Sequence, residues 1–371
     1  MKEILFSAVV LMMTSVAYAQ FPSMPEEVPP ARHIFGRDTV SMFIIGDVMM
    51  HARQLEYPMD SFLEGISERM KSADITVANM EFALAGKPYS GYPAFSAPDE
   101  YAHYIKDCGT DVFLTANNHI LDKGIRGLER TDSVYRSMEK EGLIQFTGTS
   151  RDSADNALRY PLVIHAKGFR IALVNFTYGT NLRWQGGWPK VNIIDRQDIS
   201  AALTKAKNRG ADFIIALPHW GVEYELRHSR GQEELASWLV ENGADAVIGA
   251  HPHVVQDSTI IGGAAVFYSL GNAVSNMSAP NTQIELAVKL TFTRDWNGDM
   301  KMLEPEVTYL WCSLPGRLKD SYATIAVRDH IGKRHLWKEP SDYDKMIATY
   351  LHVKRVTGIK DEIKGESQGS K

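Results

Sequence analysis

The chain has 371 residues, 44% apolar and 23% charged, a globular balance that excludes a disordered scaffold and leaves room for one large domain or two smaller ones. Its formal net charge of -5 at pH 7 gives no strong long-range attraction for nucleic acid or an anionic membrane surface, so no nucleic acid is expected among its partners.

Residues 1–19 read as a secretory signal peptide: Lys2 is a short positive region, 4–13 an apolar stretch, and Ala17-Tyr18-Ala19 a small-residue cleavage site before Gln20. The apolar stretch is shorter than the ~20 residues that span a bilayer. Export, periplasmic or extracellular, is therefore the expectation, with cleavage near Ala19. An oxidising compartment would leave one disulfide open to Cys108 and Cys312, although the sequence does not show that they meet. A Pro-rich tether (20–37) follows, then a main domain over 38–315. A C-terminal helical extension with a disordered tail is expected over 316–371.

Within the main domain, short apolar runs alternate with amphipathic segments. Strands are predicted at 41–45, 75–79, 112–115, 170–176, 213–218, 246–250 and 265–268, and helices at 61–72, 126–141, 199–209 and 231–242. The alternation predicts an α/β fold with buried strands. Near the end, 284–294 and 300–311 read as antiparallel strands around Asn297-Gly298.

Polar residues cluster where such a fold places its chemistry, in loops after the carboxyl ends of strands. "GDVMMHARQ" offers Asp47, His51 and Arg53; "ITVANMEFAL" offers Asn79 and Glu81; "VFLTANNHILDKG" offers Asn117, Asn118, His119 and Asp122. "FIIALPHWGVEYE" adds His219 and Glu223, and "AVIGAHPHVVQ" adds His251 and His253. Carboxylates, amide oxygens and neutral imidazoles without thiolates suit divalent ions such as Mn, Fe, Zn or Mg. Two ions sharing a carboxylate, ~3.5–4 Å apart, would serve a hydrolytic displacement.

Bland alternatives stand beside several of these residues. His51 reads equally as a surface histidine, Asn117 as a turn cap, and Asp122 as a helix-start or supporting partner. Tyr178, Thr180 and Asn181 in "NFTYGTN" suit either a polar ligand or a hydrogen-bonded turn. Trp184, Trp188 and Trp220 suit stacking or core filling. Arg53 could pair with a phosphate or a carboxylate. His251 and His253, with Gly249 ahead of them and Pro252 between, point to function instead.

Together, "GDVMMHARQ", "NMEFALAG", "YPAFSAP", "ANNHILDKG", "NFTYGTN", "HWGVEYE", "GAHPHVVQ" and "YSLGN" resemble the CapA family, named for poly-gamma-glutamate capsule biosynthesis and related to calcineurin-like metallophosphoesterases. The match runs from about Ser41 to Asn276. The resemblance implies a four-layer sandwich of two mixed β-sheets flanked by helices, with a dimetal centre at the strand ends. It assigns Asp47 as the first-motif aspartate and Glu81 as the bridging carboxylate. Asn118, His219 and His251 would complete one ion's shell, and His253 would serve the other. His119 would protonate a leaving oxygen. The departure is Met49, which stands where ordinary metallophosphoesterases have a histidine; His51 is the candidate replacement.

Asn79, Glu223, Arg53, Tyr178, Thr180 and Asn181 are the substrate-side candidates. The expected function is an exported metal-dependent hydrolase acting on a phosphoester or an anionic envelope polymer such as poly-gamma-glutamate, with membrane-associated capsule machinery as a candidate partner. The alternative is a non-catalytic assembly protein whose metal centre binds the polymer.

Overall fold

The computed structural model describes residues 38–183 and 187–361. The expected signal peptide (1–19), the tether (20–37), Trp184 and the tail beyond 361 lie outside the described residues.

The first strand, Asp38–Val48, is buried along both faces. Val40, Met42 and Ile44 enter one core, while Phe43 and Ile45 enter another. A strand covered on both sides needs no polar alternation, which is why this stretch reads as continuously apolar. It lies inside an eight-stranded mixed sheet ordered Ala323–Ala326, Glu306–Ser313, Ile284–Arg294, Asp38–Val48, Ile75–Met80, Val112–Leu114 and Gln145–Thr147, with Met300–Met302 paired to Ile284–Arg294. A six-stranded sheet runs Ser258–Ile261, Ala264–Phe267, Ala246–Ile248, Phe213–His219, Phe169–Thr177 and Leu162–Ala166.

The two sheets pack face to face. Met42, Ile44 and Val77 from one meet Ile171, Leu173 and Ile215 from the other in a shared core. On the outer face of the larger sheet, Ile66, Met70, Ile105, Tyr135 and Met138 bring helices Glu64–Ser72, Asp99–Asp107 and Gly124–Lys140 onto Phe43, Ala78 and Phe113. On the outer face of the smaller sheet, Ile199, Leu203, Leu235 and Leu239 do the same for helices Arg196–Asn208 and Arg230–Glu241. The expected four-layer α/β architecture is thus the one observed.

Two expectations need correction. The segment after 315 is no separate helical extension: Ala323–Ala326 is an edge strand of the larger sheet, and helix Pro340–Thr357 seals the inter-sheet core with Met346, Tyr350 and Val353. The stretch 300–311 is two strands, Met300–Met302 and Glu306–Ser313, both paired to Ile284–Arg294. Cys108 and Cys312 are buried and free, so the disulfide left open by the sequence is absent.

Asp38–Val48, Ile75–Met80 and Val112–Leu114 run parallel, as do Phe169–Thr177, Phe213–His219 and Ala246–Ile248, so their carboxyl ends deliver a common set of loops. The first strand bulges between Ile45 and Asp47. There the Gly46 N–H donates to Glu285 Oε1 at 2.6 Å and the Asp47 N–H to the Gly271 carbonyl at 2.9 Å. A Cβ at Gly46 would sit 2.0 Å from that carbonyl oxygen, a clash of backbone with backbone that no rotamer relieves. Gly46→Ala should lower the unfolding free energy by about 1–3 kcal/mol, the range for overpacking, as read by denaturant titration.

Candidate metal centre

Asp47 leaves the bulge fully buried. Its Oδ1 accepts from Asn79 Nδ2 at 2.7 Å and its Oδ2 from the His251 backbone N–H at 3.1 Å. His219 Nδ1 is 3.9 Å from Oδ1, and His253 Nδ1 is 3.6 Å from Oδ2. Glu81, directly after strand Ile75–Met80, completes the cluster: its Oε1 lies 3.6 Å from His219 Nε2 and 3.9 Å from His253 Nε2. Asp47, Glu81 and His219 each offer a ligand atom within 4.8 Å of the others, and so do Glu81, His251 and His253. Glu81 belongs to both groups. Asn118 Oδ1 reaches the first of them through His219 Nε2, at 2.7 Å.

These side chains fit a divalent cation. Both Glu81 oxygens and His251 Nδ1 are buried without a hydrogen-bond partner, an arrangement costly for polar atoms unless something cationic pairs with them. The backbone supports the same view: His251 and His253 take φ values of 103° and 58°, the left-handed side that non-glycine residues rarely adopt, flanking Pro252. Upstream, a Cβ on Gly249 would fall 2.1 Å from the Tyr268 carbonyl oxygen, so this loop enters through a gap only glycine fits.

Protonation follows from burial and neighbours. Burial and the adjacent Asp47 charge push the Glu81 carboxyl well above the usual range. Burial opposes the Asp47 charge too, but His253 and His219 outweigh it and lower its carboxyl to about 2. His219 falls well below the usual imidazole value through burial and His251, and His251 falls to about 3 through burial and His253. His253 alone goes up, because Asp47 overcomes its burial. At neutral pH His219 and His251 are therefore already in the neutral form that binds metal, whereas His253, raised above 6.5, competes for a proton. Metal affinity should accordingly climb as pH rises through and above 6.5, as His253 and the raised Glu81 carboxyl release their protons, which metal titrations across that range would measure; a flat profile would contradict the assignment of these two as ligands.

His119 sits one residue beyond Asn118. Its Nδ1 is 2.7 Å from Asp122 Oδ2, which also accepts the Phe95 backbone N–H at 2.8 Å. The Phe95 ring meets His119 edge-on at 4.6 Å and His51 at 5.2 Å. Asn181 closes the far side: its Oδ1 accepts from Asn118 Nδ2 at 3.3 Å, and its Nδ2 lies 3.1 Å from His119 Nδ1.

Asp47, Glu81, Asn118, His219, His251 and His253 thus converge as expected. Other expectations change. Asn79 is buried between Asp47 and His219 and bonds inward, so it orients ligands rather than substrate. Asp122 supports His119 and belongs to neither ligand group. His51 is outside both groups as well: a 3-10 turn begins only at Ala52, and His51 caps it with Nδ1 near Gln54 Oε1. That turn carries Arg53 outward, where it binds Glu56 and the Tyr57 hydroxyl instead of an anion at the centre. Thr180 is spent on a turn, donating to the Leu182 carbonyl. Met49 packs in the apolar core, and Trp220 is core, its Nε1 donating to the Tyr268 carbonyl; Trp188 is exposed.

Asn117 is the turn cap weighed above: its amide donates to the Met80 carbonyl, and its Oδ1 accepts from the His119 N–H. Asn272, in the quoted "YSLGN", had no assigned role, yet its Oδ1 holds His253 Nδ1 at 2.9 Å. Phe95 was likewise missed.

Fold and site together define a four-layer α/β protein with a buried cluster of carboxylates and imidazoles at the strand ends. The crystal structure of a putative 5'-nucleotidase from Staphylococcus aureus, in complex with alpha-ketoglutarate, superposes with a TM-score of 0.50 at 12% identity, over 73% of this chain. This chain spans 54% of that protein, and the likeness establishes the fold. The bacterial capsule synthesis protein PGA_cap family matches residues 41–277, and the chain belongs to it. It is similar to the capsule biosynthesis protein CapA of Bacillus anthracis, 28% identical over 75% of this chain and 70% of the relative. It is also similar to the PGA biosynthesis protein CapA of Bacillus subtilis strain 168, 26% identical over 72% of each.

Proposed function

We propose that this capsule-synthesis family member is an exported, metal-dependent hydrolase that processes an anionic capsule or envelope polymer, poly-gamma-glutamate-like, or a phosphoester. The observation that carries the reading is His119, an imidazole braced at Nδ1 by a buried carboxylate beside the ligand Asn118. A centre that only bound a polymer would have no use for a braced proton donor there.

Divalent ions bound at the centre would polarise the scissile group and neutralise charge developing on its oxygens. Asp47, Glu81, Asn118, His219, His251 and His253 would hold them. Asp122 takes the Nδ1 proton of His119 as a hydrogen bond, leaving Nε2 to deliver a proton to the departing oxygen or nitrogen. Asn79 and Asn272 fix Asp47 and His253 from behind.

One feature favours the non-catalytic assembly reading: Met49 is buried in the core, so the first ion lacks a ligand and would bind more weakly. Purified protein assayed with manganese, zinc, magnesium or iron on generic phosphoesters and on poly-gamma-glutamate separates the two. Metal-dependent turnover supports the hydrolase. Metal-dependent polymer binding without turnover supports assembly. Export is tested separately by N-terminal sequencing, which should find a mature chain beginning near Gln20.

A further inference from the structure

The bulge in the first strand decides which way Asp47 points, because side chains along a strand alternate between its two faces. Phe43 and Ile45 enter the core beneath the helices of the larger sheet, and an unbroken strand would send Asp47 after them. It is Val48 that enters that core, three residues beyond Ile45, a spacing that requires one extra residue between the two. Gly46 is that residue: the pairing with Ile75–Met80 passes from Ile45 opposite Ala78 to Asp47 opposite Asn79 and skips it. The slip turns Asp47 to the other face, towards His219 and His253.

A bulge of this kind needs acceptors for two successive N–H groups on one side of the strand. Pairing with Ile284–Arg294 stops where Ile44 faces Val288, and beyond it the segment 270–274 enters between the two strands. The Leu286 N–H donates to the Leu270 carbonyl at 2.8 Å, and the Asp47 N–H donates to the Gly271 carbonyl at 2.9 Å. The other N–H, that of Gly46, meets a side chain: Glu285 Oε1 accepts from it at 2.6 Å. Glu285 is fully buried, and Ala287 on the same face of its strand packs with Ala273, Leu310 and Cys312. Its second oxygen, Oε2, has no hydrogen-bond partner. An apolar side chain would suit those surroundings better, so the bond to Gly46 is what the carboxyl supplies there.

We propose that Glu285 is a positioning residue for the metal centre: its Oε1 holds the Gly46 N–H, fixes the bulge and thereby aims Asp47 at the ion. Glu285 is outside both ligand groups and acts through the backbone of the first strand. What the bulge requires is an acceptor oxygen of this reach. An amide of the same length provides one, whereas a thioether is only a weak acceptor. Without the bond the Gly46 N–H is left unpaired, the extra residue is no longer pinned, and Asp47 loses its direction. This inference rests on the reading of the centre as a metal site, and it adds a residue behind the ligands on which metal affinity depends.

The test titrates full-length, metal-free wild type, Glu285→Gln and Glu285→Met with manganese by calorimetry, each well below its melting transition, and melts the same metal-free samples. Glu285→Met should bind manganese about 10–100-fold more weakly than wild type, the range for losing a group that orients a ligand. Glu285→Gln, which keeps the acceptor, should bind as wild type does. A residue that only stabilised the fold would lower the melting temperature of Glu285→Met and leave its affinity unchanged, because affinity measured on folded protein does not read stability. That result overturns the proposal, as does equal weakening in both variants or a Glu285→Met chain that does not fold. Wild type that binds manganese beside an unweakened Glu285→Met refutes the role of Glu285 alone, whereas wild type that takes up no manganese refutes the metal reading and this inference with it.

Discussion

Glu81→Ala should bind no stoichiometric metal, and added manganese or zinc should not raise its melting temperature. Glu81 is the one side chain shared by both ligand groups, and neither of its buried oxygens has a hydrogen-bond partner. An ion at one hundred times its dissociation constant stabilises the folded state by about 2.7 kcal/mol, so the wild-type shift is large enough that its loss is unmistakable.

The metal-free protein supplies the control. Burial and Asp47 hold the folded Glu81 carboxyl well above 4.5, so its contribution to stability is fully present below the unfolded value and is lost as pH rises towards the folded one. At pH 7 this carboxyl therefore works against the fold, and Glu81→Gln, of nearly the same shape, should leave the metal-free protein at least as stable as wild type. Asp47 moves the opposite way: lowered from 3.8 to about 2, it loses its contribution only as pH falls through that interval. Between pH 4.5 and 7 Glu81 weakens the metal-free fold as pH rises while His219 and His251, both lowered from 6.5, weaken it as pH falls, so Glu81 is read from the difference between wild-type and Glu81→Gln melts across that range. Unchanged bound metal in Glu81→Ala, by elemental analysis, would show that the ligands are misassigned.

The residues that converge were legible in the sequence for a topological reason. Asp47, Glu81, Asn118, His219 and His251 each follow an apolar run, and runs buried on both faces of a parallel sheet end on the same side. What surrounds them was not legible, because it depends on where loops travel. Arg53, six residues after Asp47, looked like an anion contact until the turn Ala52–Glu56 carried it to the surface. Phe95 sits in a Pro-rich loop with no periodicity to mark it, yet its backbone and ring both brace His119. Asn272 reaches His253 across nineteen residues of chain. Strands as short as Gln145–Thr147 and Ala323–Ala326 fall below the length at which a hydrophobic pattern can be recognised, and only their partners in the sheet define them.

His119→Ala should lower turnover on whichever substrate the screen identifies by about 10²–10⁴-fold, the range for losing a positioned acid or base, while bound metal stays at the wild-type level. The two results belong together because His119 touches no ligand through its side chain: its Nδ1 is committed to Asp122, and it is outside both ligand groups. Asn118, one residue earlier, meets His219 Nε2 at 2.7 Å, so Asn118→Ala should instead reduce metal content together with rate. Asp122→Asn offers an intermediate case. The imidazole remains, but the carboxylate that orients it is gone, and Phe95 loses a charged acceptor. Its rate should fall less than that of His119→Ala, with bound metal at the wild-type level. A merely structural role for His119 would lower melting temperature and metal content along with rate. Full turnover in His119→Ala would remove the proton donor from the mechanism and return the protein to the assembly reading, in which the centre holds a polymer and cleaves nothing.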